Sequence, residues 1–314
     1  MIMKKFLLVI LIFLAVSIII VYVLKQFDRH VNNQNNSSQI QKYETGSAIS
    51  TVAENEIYNQ KLLNNTVGVP VLLYHVISSS ISKGSYGFLP LSLFKRQLDY
   101  LKQEGYVTIS LDNLYNYMIS GENIPEKSII LSFDDTNESD YTIVFPELKK
   151  RGFKGVFFTI VSKANTLKWK DKLQEMYFDG MEIVSHTMSH KYSGGGPSTN
   201  GKRINVDDVK IIRYELSESK KILESITNSK VNYLAWPGDS YTDNMIKLAQ
   251  EIGYKGLFMA KTDFTENIMK HPKSKSGFNK MGDDVLHIKR ITINGANSLD
   301  DFKLILRDGI YPRL

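Results

Sequence analysis

Ser128-Ile129-Ile130-Leu131-Ser132-Phe133-Asp134-Asp135-Thr136-Asn137 is the stretch that decides the fold. Residues 128–133 form a short apolar run of the kind buried on both faces of a parallel sheet. The run then breaks into two carboxylates followed by Thr136-Asn137, which is suitable loop sequence. Side chains alternate along a strand, so both acids can face one pocket only where the strand gives way to a loop.

Working outward from that strand, the chain alternates strand-like and helix-like segments. Further strands are expected at 69–77 (VPVLLYHVI), 106–109, 155–160, 182–185, 231–236, 255–259 and 287–293. Between them, Ser92 is placed to cap a helix in which Phe94, Leu98 and Leu101 share one face, ending at Gly105. Other helices are expected at 111–118, about 143–151, about 206–226 and 242–251, several closed by a glycine. Repeated strand–helix units with short loops predict a parallel α/β fold, either a barrel or an open sheet. In both, chemistry collects at the carboxyl ends of the strands.

Composition narrows the function. The 314 residues carry 42% hydrophobic and 23% charged side chains, enough to bury a real core. The net charge of +6 is mild, with no long Lys/Arg run interleaved with aromatics, which argues against nucleic acid as partner. Cysteine is absent, so disulfides, thiolate metal sites and cysteine nucleophiles are excluded, and any metal must use His, Asp or Glu.

At the amino terminus, Phe6 to Leu24 is a nearly uninterrupted apolar stretch after Lys4 and Lys5. At about 1.5 Å per residue such a helix nearly crosses a hydrocarbon core of about 30 Å. With no small-x-small site after it, residues 1–25 are expected to be an uncleaved transmembrane anchor, with everything beyond exported. Residues 26–66, including VNNQNNSSQIQKYETGS, hold few large apolar side chains and are expected to be a flexible linker to a domain at 67–314.

Three clusters fall at expected strand ends. Asp134-Asp135 has two readings: a helix cap, or one acid binding a metal while the other acts as a base. His186 and His190 in HTMSH lie four apart; if the chain turns helical there, both imidazoles share one face suited to a metal. Two histidines and one carboxylate suit Zn²⁺, and also Fe, Co or Ni. His75, in VPVLLYHVI, is either a hydrogen-bonded core residue or a functional group.

Taken together, SFDDT (132–136), HTMSH (186–190) and LLYH (72–75) resemble the polysaccharide deacetylases, carbohydrate esterase family 4. The YH strand comes first and is followed by SLFKRQLDYLKQEGY, an order similar to the circularly permuted branch acting on poly-N-acetylglucosamine. The resemblance covers about 69–302. It implies a distorted (β/α) barrel with a divalent metal, Zn²⁺ first and Co²⁺ or Ni²⁺ as alternatives, held by Asp135, His186 and His190. Asp134 matches the catalytic base and His75 the catalytic acid. LAWPGDSY (234–241) matches the loop that supplies a backbone donor to the oxyanion, making Gly238 the candidate.

The chain also departs from the family pattern. Thr136 replaces a glycine that usually follows the acid pair, and Ala235 replaces an arginine that orients the base. Arg290, in HIKRITI, matches an arginine of the permuted branch placed to pair with Asp134. The aromatic after the loop proline is missing, which leaves Trp236 or Tyr241 to form a sugar-facing wall. His271 and His287 match no role and read as surface residues. The glycine-rich 191–201 segment is a candidate lid, and it lacks the Gly-Lys-Ser/Thr of a phosphate loop. The expected partner is therefore an extracellular N-acetylated polysaccharide at the cell membrane, with peptidoglycan as the rival polymer and a metal- or glycan-binding pseudoenzyme as the rival class. Oligomeric state is not legible.

Overall fold

A computed structural model describes residues 65, 67–80, 87–191, 208–260, 277–293 and 295–309. The anchor at 1–25, the linker at 26–66 apart from Asn65, His271 and the glycine-rich segment apart from Lys191 lie outside the described residues. Among the described residues no helix is long and apolar enough to cross a membrane. Asn65, at the far end of the expected linker, is buried, and its carbonyl accepts the Tyr117 hydroxyl at 3.0 Å, so the folded body already includes it.

Parallel strands form the core. They are β1 (Val71–Tyr74), β2 (Val76–Ser78), β3 (Phe88–Pro90), β4 (Val107–Thr108), β5 (Ser128–Asp134), β6 (Val156–Thr159) and β7 (Glu182–Ser185). After them come β8 (Tyr233–Ala235), β9 (Gly256–Met259), β10 (Ile288–Lys289) and β11 (Ile291–Thr292). Every residue of β5 is buried, as its apolar sequence requires for a strand covered on both faces.

The main sheet runs β10-β9-β8-β7-β6-β5-β1-β11, with β4 against the start of β5. Its two ends, β10 and β11, are consecutive pieces of one segment that bends at Arg290. One piece pairs with β9 and the other with β1, so the sheet rolls into a nearly closed barrel, and the open-sheet alternative falls.

Helices cover the outside: α1 (Leu91–Gln103), α2 (Leu111–Ser120), α3 (Phe145–Arg151), α4 (Val161–Thr166), α5 (Lys170–Phe178), α6 (Val209–Thr227), α7 (Asp243–Ile252) and α8 (Leu299–Asp308). The apolar stripe Leu93, Phe94, Leu98 and Leu101 seats α1 on the barrel. Ser110 and Thr242 cap α2 and α7, and Gly121, Gly152 and Gly253 end α2, α3 and α7 in the left-handed conformation.

Four expectations change. The run 69–77 is two strands, because the chain turns at His75 and β2 leaves the barrel to pair with β3. Residues 287–293 are likewise split at Arg290. Ser92 caps nothing: α1 starts at Leu91, directly after Pro90, without a side-chain cap. The helix expected at 143 is preceded by a wide π-type turn, Asp140–Val144, a form found mostly as short segments near functional sites.

Candidate active site and metal centre

All three clusters meet at the carboxyl end of the barrel. Asp134 is the last residue of β5 and is buried, whereas Asp135 takes φ +80° and Thr136 φ +54°. This left-handed step breaks the strand alternation, so two adjacent carboxylates reach the same space. Glycine would adopt these angles freely, which accounts for the family preference at position 136. Here Thr136 holds them with its hydroxyl, which accepts from Ile160 N at 2.8 Å. Asn137 Nδ2 donates to the Asp134 carbonyl at 2.9 Å, and Lys163 Nζ donates to the Asp135 carbonyl at 2.6 Å.

The histidine motif reaches the same place by a different route. It is not helical: the chain after β7 makes a turn in which Thr187 (φ +68°) and His190 (φ +57°) are both left-handed. That turn brings His186 Nε2 and His190 Nε2 each to 3.5 Å from Asp135 Oδ1. His186 is buried, and its Nδ1 lies 2.9 Å from the Ala235 carbonyl. A carbonyl can only accept, so Nδ1 carries the hydrogen and Nε2 offers its lone pair to the centre.

Asp135, His186 and His190 present ligand atoms within 4.8 Å of one another. Zinc bonds of about 2.0–2.1 Å in a tetrahedron would separate ligand atoms by roughly 3.3 Å, close to both His–Asp separations. The donor chemistry and spacing therefore fit a divalent metal.

Electrostatics agree with that geometry. Burial pushes the Asp135 carboxyl up, but the hydrogen bond and charge of His186, with His75 and His190, hold it well below the usual carboxylate range. Burial disfavours charge on His186, yet Asp134 and Asp135 together raise it. Burial and the neighbouring His186 push His190 down to about 4, leaving a neutral ring able to ligate.

Asp134 takes no part in that triad. Arg290 grips it with a two-pronged fork, Nη1 to Oδ1 at 2.7 Å and Nη2 to Oδ2 at 2.9 Å, with both side chains buried. The guanidinium carbon also lies 5.0 Å from the centre of the Phe158 ring. Ala235, where the family pattern has an arginine, contributes its backbone carbonyl to His186 instead. His75 stands at the turn between β1 and β2, and its Nδ1 is buried with no partner among the described residues.

Gly238 is exposed in the short helical turn Pro237–Asp239, at φ +54°. Trp236 is 1% exposed, so its ring presents no wall to a ligand. Tyr241, half-buried, stacks on it at 6.1 Å, and its ring meets His287 at 5.9 Å. His287 is thus joined to Tyr241 on one side and to Asp284 Oδ2, at 2.7 Å, on the other.

Sequence reasoning missed Glu215. This buried residue of α6 accepts from Ser189 N at 2.7 Å and from Ser189 Oγ at 2.5 Å, inside the histidine turn. A signal existed: Glu215 falls on the apolar face defined by Ile212, Leu216, Leu223 and Ile226, where an acid needs a partner.

With this geometry in hand, comparison with known proteins is specific. A family model described as polysaccharide deacetylase matches residues 121–257. A putative polysaccharide deacetylase, YxkH, of Bacillus subtilis is 26% identical over 191 residues, covering 60% of this chain and 62% of its own length. The match thus spans somewhat under two thirds of that relative. A poly-β-1,6-N-acetyl-D-glucosamine N-deacetylase of Staphylococcus aureus is 25% identical over 255 residues, covering 78% of this chain and 83% of its own. Among solved structures, the deacetylase PplD of Streptococcus pyogenes superposes with a TM-score of 0.62 at 22% identity, over 76% of this chain and 98% of its own, a likeness of fold.

Proposed function

We propose that this chain, which is similar to polysaccharide deacetylases, is a metal-dependent N-deacetylase of an extracellular N-acetylglucosamine polysaccharide. The observation that carries the reading is the meeting, at one barrel end, of the Asp135–His186–His190 triad with the separate Asp134–Arg290 pair. A bare metal site has no use for a second buried acid held by its own arginine; amide hydrolysis does. Of the polymers, β-1,6-linked poly-N-acetylglucosamine is favoured by the Staphylococcus aureus relative.

Asp135, His186 and His190 would hold the divalent cation, Zn²⁺ before Co²⁺ or Ni²⁺. When bound, that ion supplies Lewis-acid polarisation of the acetyl carbonyl and acidifies water. Asp134 accepts the proton of the attacking water, and the Arg290 fork keeps its carboxylate from rotating away. The developing oxyanion takes a hydrogen bond from the Gly238 backbone N–H. His75 gives a proton to the departing amine, which is otherwise a poor leaving group. Tyr241, supported by Trp236, is the aromatic surface nearest to hand for a sugar ring. The apolar stretch from Phe6 to Leu24 would anchor the chain, placing the barrel outside the membrane.

Acetate release tests the reading, with the full chain in detergent, β-1,6 N-acetylglucosamine oligomers and metal returned after chelation. Metal-dependent release is expected, faster than from β-1,4 oligomers or peptidoglycan. No release from any of these by chain with metal bound would overturn the deacetylase reading. Protease digestion of the barrel on intact cells tests its placement outside the membrane.

A further inference from the structure

The histidine turn is held from outside itself, and one residue holds the part next to His190. Thr187 and His190 both occupy the left-handed region that L side chains with a Cβ avoid. Local bonds, Thr187 N to Ser185 Oγ at 3.1 Å and His190 N to Thr187 Oγ1 at 3.2 Å, bend the chain. They do not place the bend relative to β5, where Asp135 stands. Val161 N to the Thr187 carbonyl at 3.3 Å and Ser162 N to the Met188 carbonyl at 2.8 Å tie the first half of the turn to α4, and Glu215 places the second half, next to His190. The two carboxylate oxygens of Glu215 take the N–H and the O–H of Ser189, and its backbone carbonyl accepts from Met188 N at 3.1 Å.

Three donors from two adjacent residues therefore converge on a single residue of α6. Glu215 is 3% exposed, and its carboxylate bonds to Ser189. The turn's own donors are its compensation, through hydrogen bonds of the charge-assisted kind. His186 has a second anchor in the Ala235 carbonyl, whereas His190 follows directly after Ser189 in the chain.

We infer that Glu215 is a positioning residue for the metal centre: it clamps Ser189 and so fixes His190 at ligand distance from Asp135. The inference rests on the metal reading of the triad. Glu215 touches neither the metal ligands' ring nitrogens nor, on this account, the substrate. Removing it leaves the fold closed and loosens the third corner of the site. Residues that orient ligands in this way typically account for about 10–100-fold in metal affinity.

The test measures Zn²⁺ affinity of the full chain in detergent by competition with a chelator. Wild type is compared with Glu215→Gln, Glu215→Ala, Ser189→Ala and the Ser189→Ala/Glu215→Ala double variant. Unfolding of each chelated protein and the visible spectrum of its Co²⁺ form are recorded alongside. Glu215→Gln and Glu215→Ala are expected to unfold cooperatively and to bind Zn²⁺ about 10–100-fold more weakly, with an altered Co²⁺ spectrum. Ser189→Ala loses less, because its backbone N–H still meets Glu215. The double variant is expected to be no worse than Glu215→Ala alone, the sign of one shared interaction.

Should Glu215→Ala fail to fold, Glu215→Gln and Ser189→Ala carry the comparison. Folded variants with wild-type Zn²⁺ affinity and an unchanged Co²⁺ spectrum would overturn the positioning role alone. A wild-type chain that binds no metal would overturn the metal reading, and this inference with it.

Discussion

Both ends of the barrel carry acids beside hydrogen-bonding partners, and the two ends are completed differently. At the amino-terminal end Glu182, which opens β7, accepts from Leu111 N at 2.9 Å, and Asp112 accepts the Tyr233 hydroxyl at 2.5 Å. The fold itself supplies both partners. At the carboxyl-terminal end Asp135 and two imidazoles converge, while His75 Nδ1, Asp140 Oδ1 and Arg290 Nε are buried without partners among the described residues. Buried polar atoms are nearly always paired, so each of these unpaired ones calls for an explanation. At one end the fold supplies the partners; at the other it gathers donors and acceptors around one point.

The sharpest way to break that contrast is at Asp134. Asp134→Asn keeps the shape and removes the proposed base, so acetate release should fall by about 10²–10⁴-fold with metal still bound. A residual rate above roughly a tenth of wild type would place the base elsewhere, since that is far smaller than a general base contributes.

Arg290→Met comes next, because it strands a buried carboxylate. Breaking such a pair costs about 3–5 kcal/mol, to be read from urea unfolding. A loss under about 1 kcal/mol would mean that the pair behaves like a solvated one.

Glu182→Gln probes the amino-terminal end. Burial, with the charge of Asp112 adding, raises the Glu182 carboxyl from 4.5 to about 7. The folded state therefore binds the proton more tightly than the unfolded one. Stability contributed by the protonated acid is present below about pH 4.5 and is lost as pH rises towards about 7. The variant should flatten this slope in thermal unfolding and leave acetate release unchanged; a steep slope that persists would assign it to another group.

The smallest effect is expected at Thr136→Gly. Relief at φ +54° and loss of the bond to Ile160 N are each about 1 kcal/mol and oppose one another, so the unfolding midpoint should barely move.

The sequence made the strands legible because apolar runs at regular spacing are unambiguous. Residues 182–185 are the strand as expected, and β5 extends only one residue further. Breaks within such runs were hidden. Nothing in the apolar sequence around His75 marks the point where the chain leaves the barrel, because both strands are apolar and the choice of partner is tertiary. The helical option for the histidine motif falls for a related reason: the left-handed turn is held by Ser185 and Glu215, groups outside the motif. Helices α4 and α5 lack a capping side chain. Helix α8 was passed over although Ser298 and Asp301 form a capping box and Gly309 ends it. The Asp134-Asp135 pair and the His186–His190 pair were readable from residue type and spacing, the choice of Asp135 as ligand and Arg290 as partner from family resemblance, whereas Glu215 required the fold.

The bent last strand has a consequence in time. Leu72 pairs with Ile291, so the first and last strands of the barrel meet only once nearly the whole domain has been synthesised. Without residue 290, the buried Asp134 carboxylate lacks its arginine partner. Contacts so distant along the chain form slowly. The same strand that seals the sheet brings the arginine to the acid, so closure of the barrel and formation of the Asp134–Arg290 pair are one event.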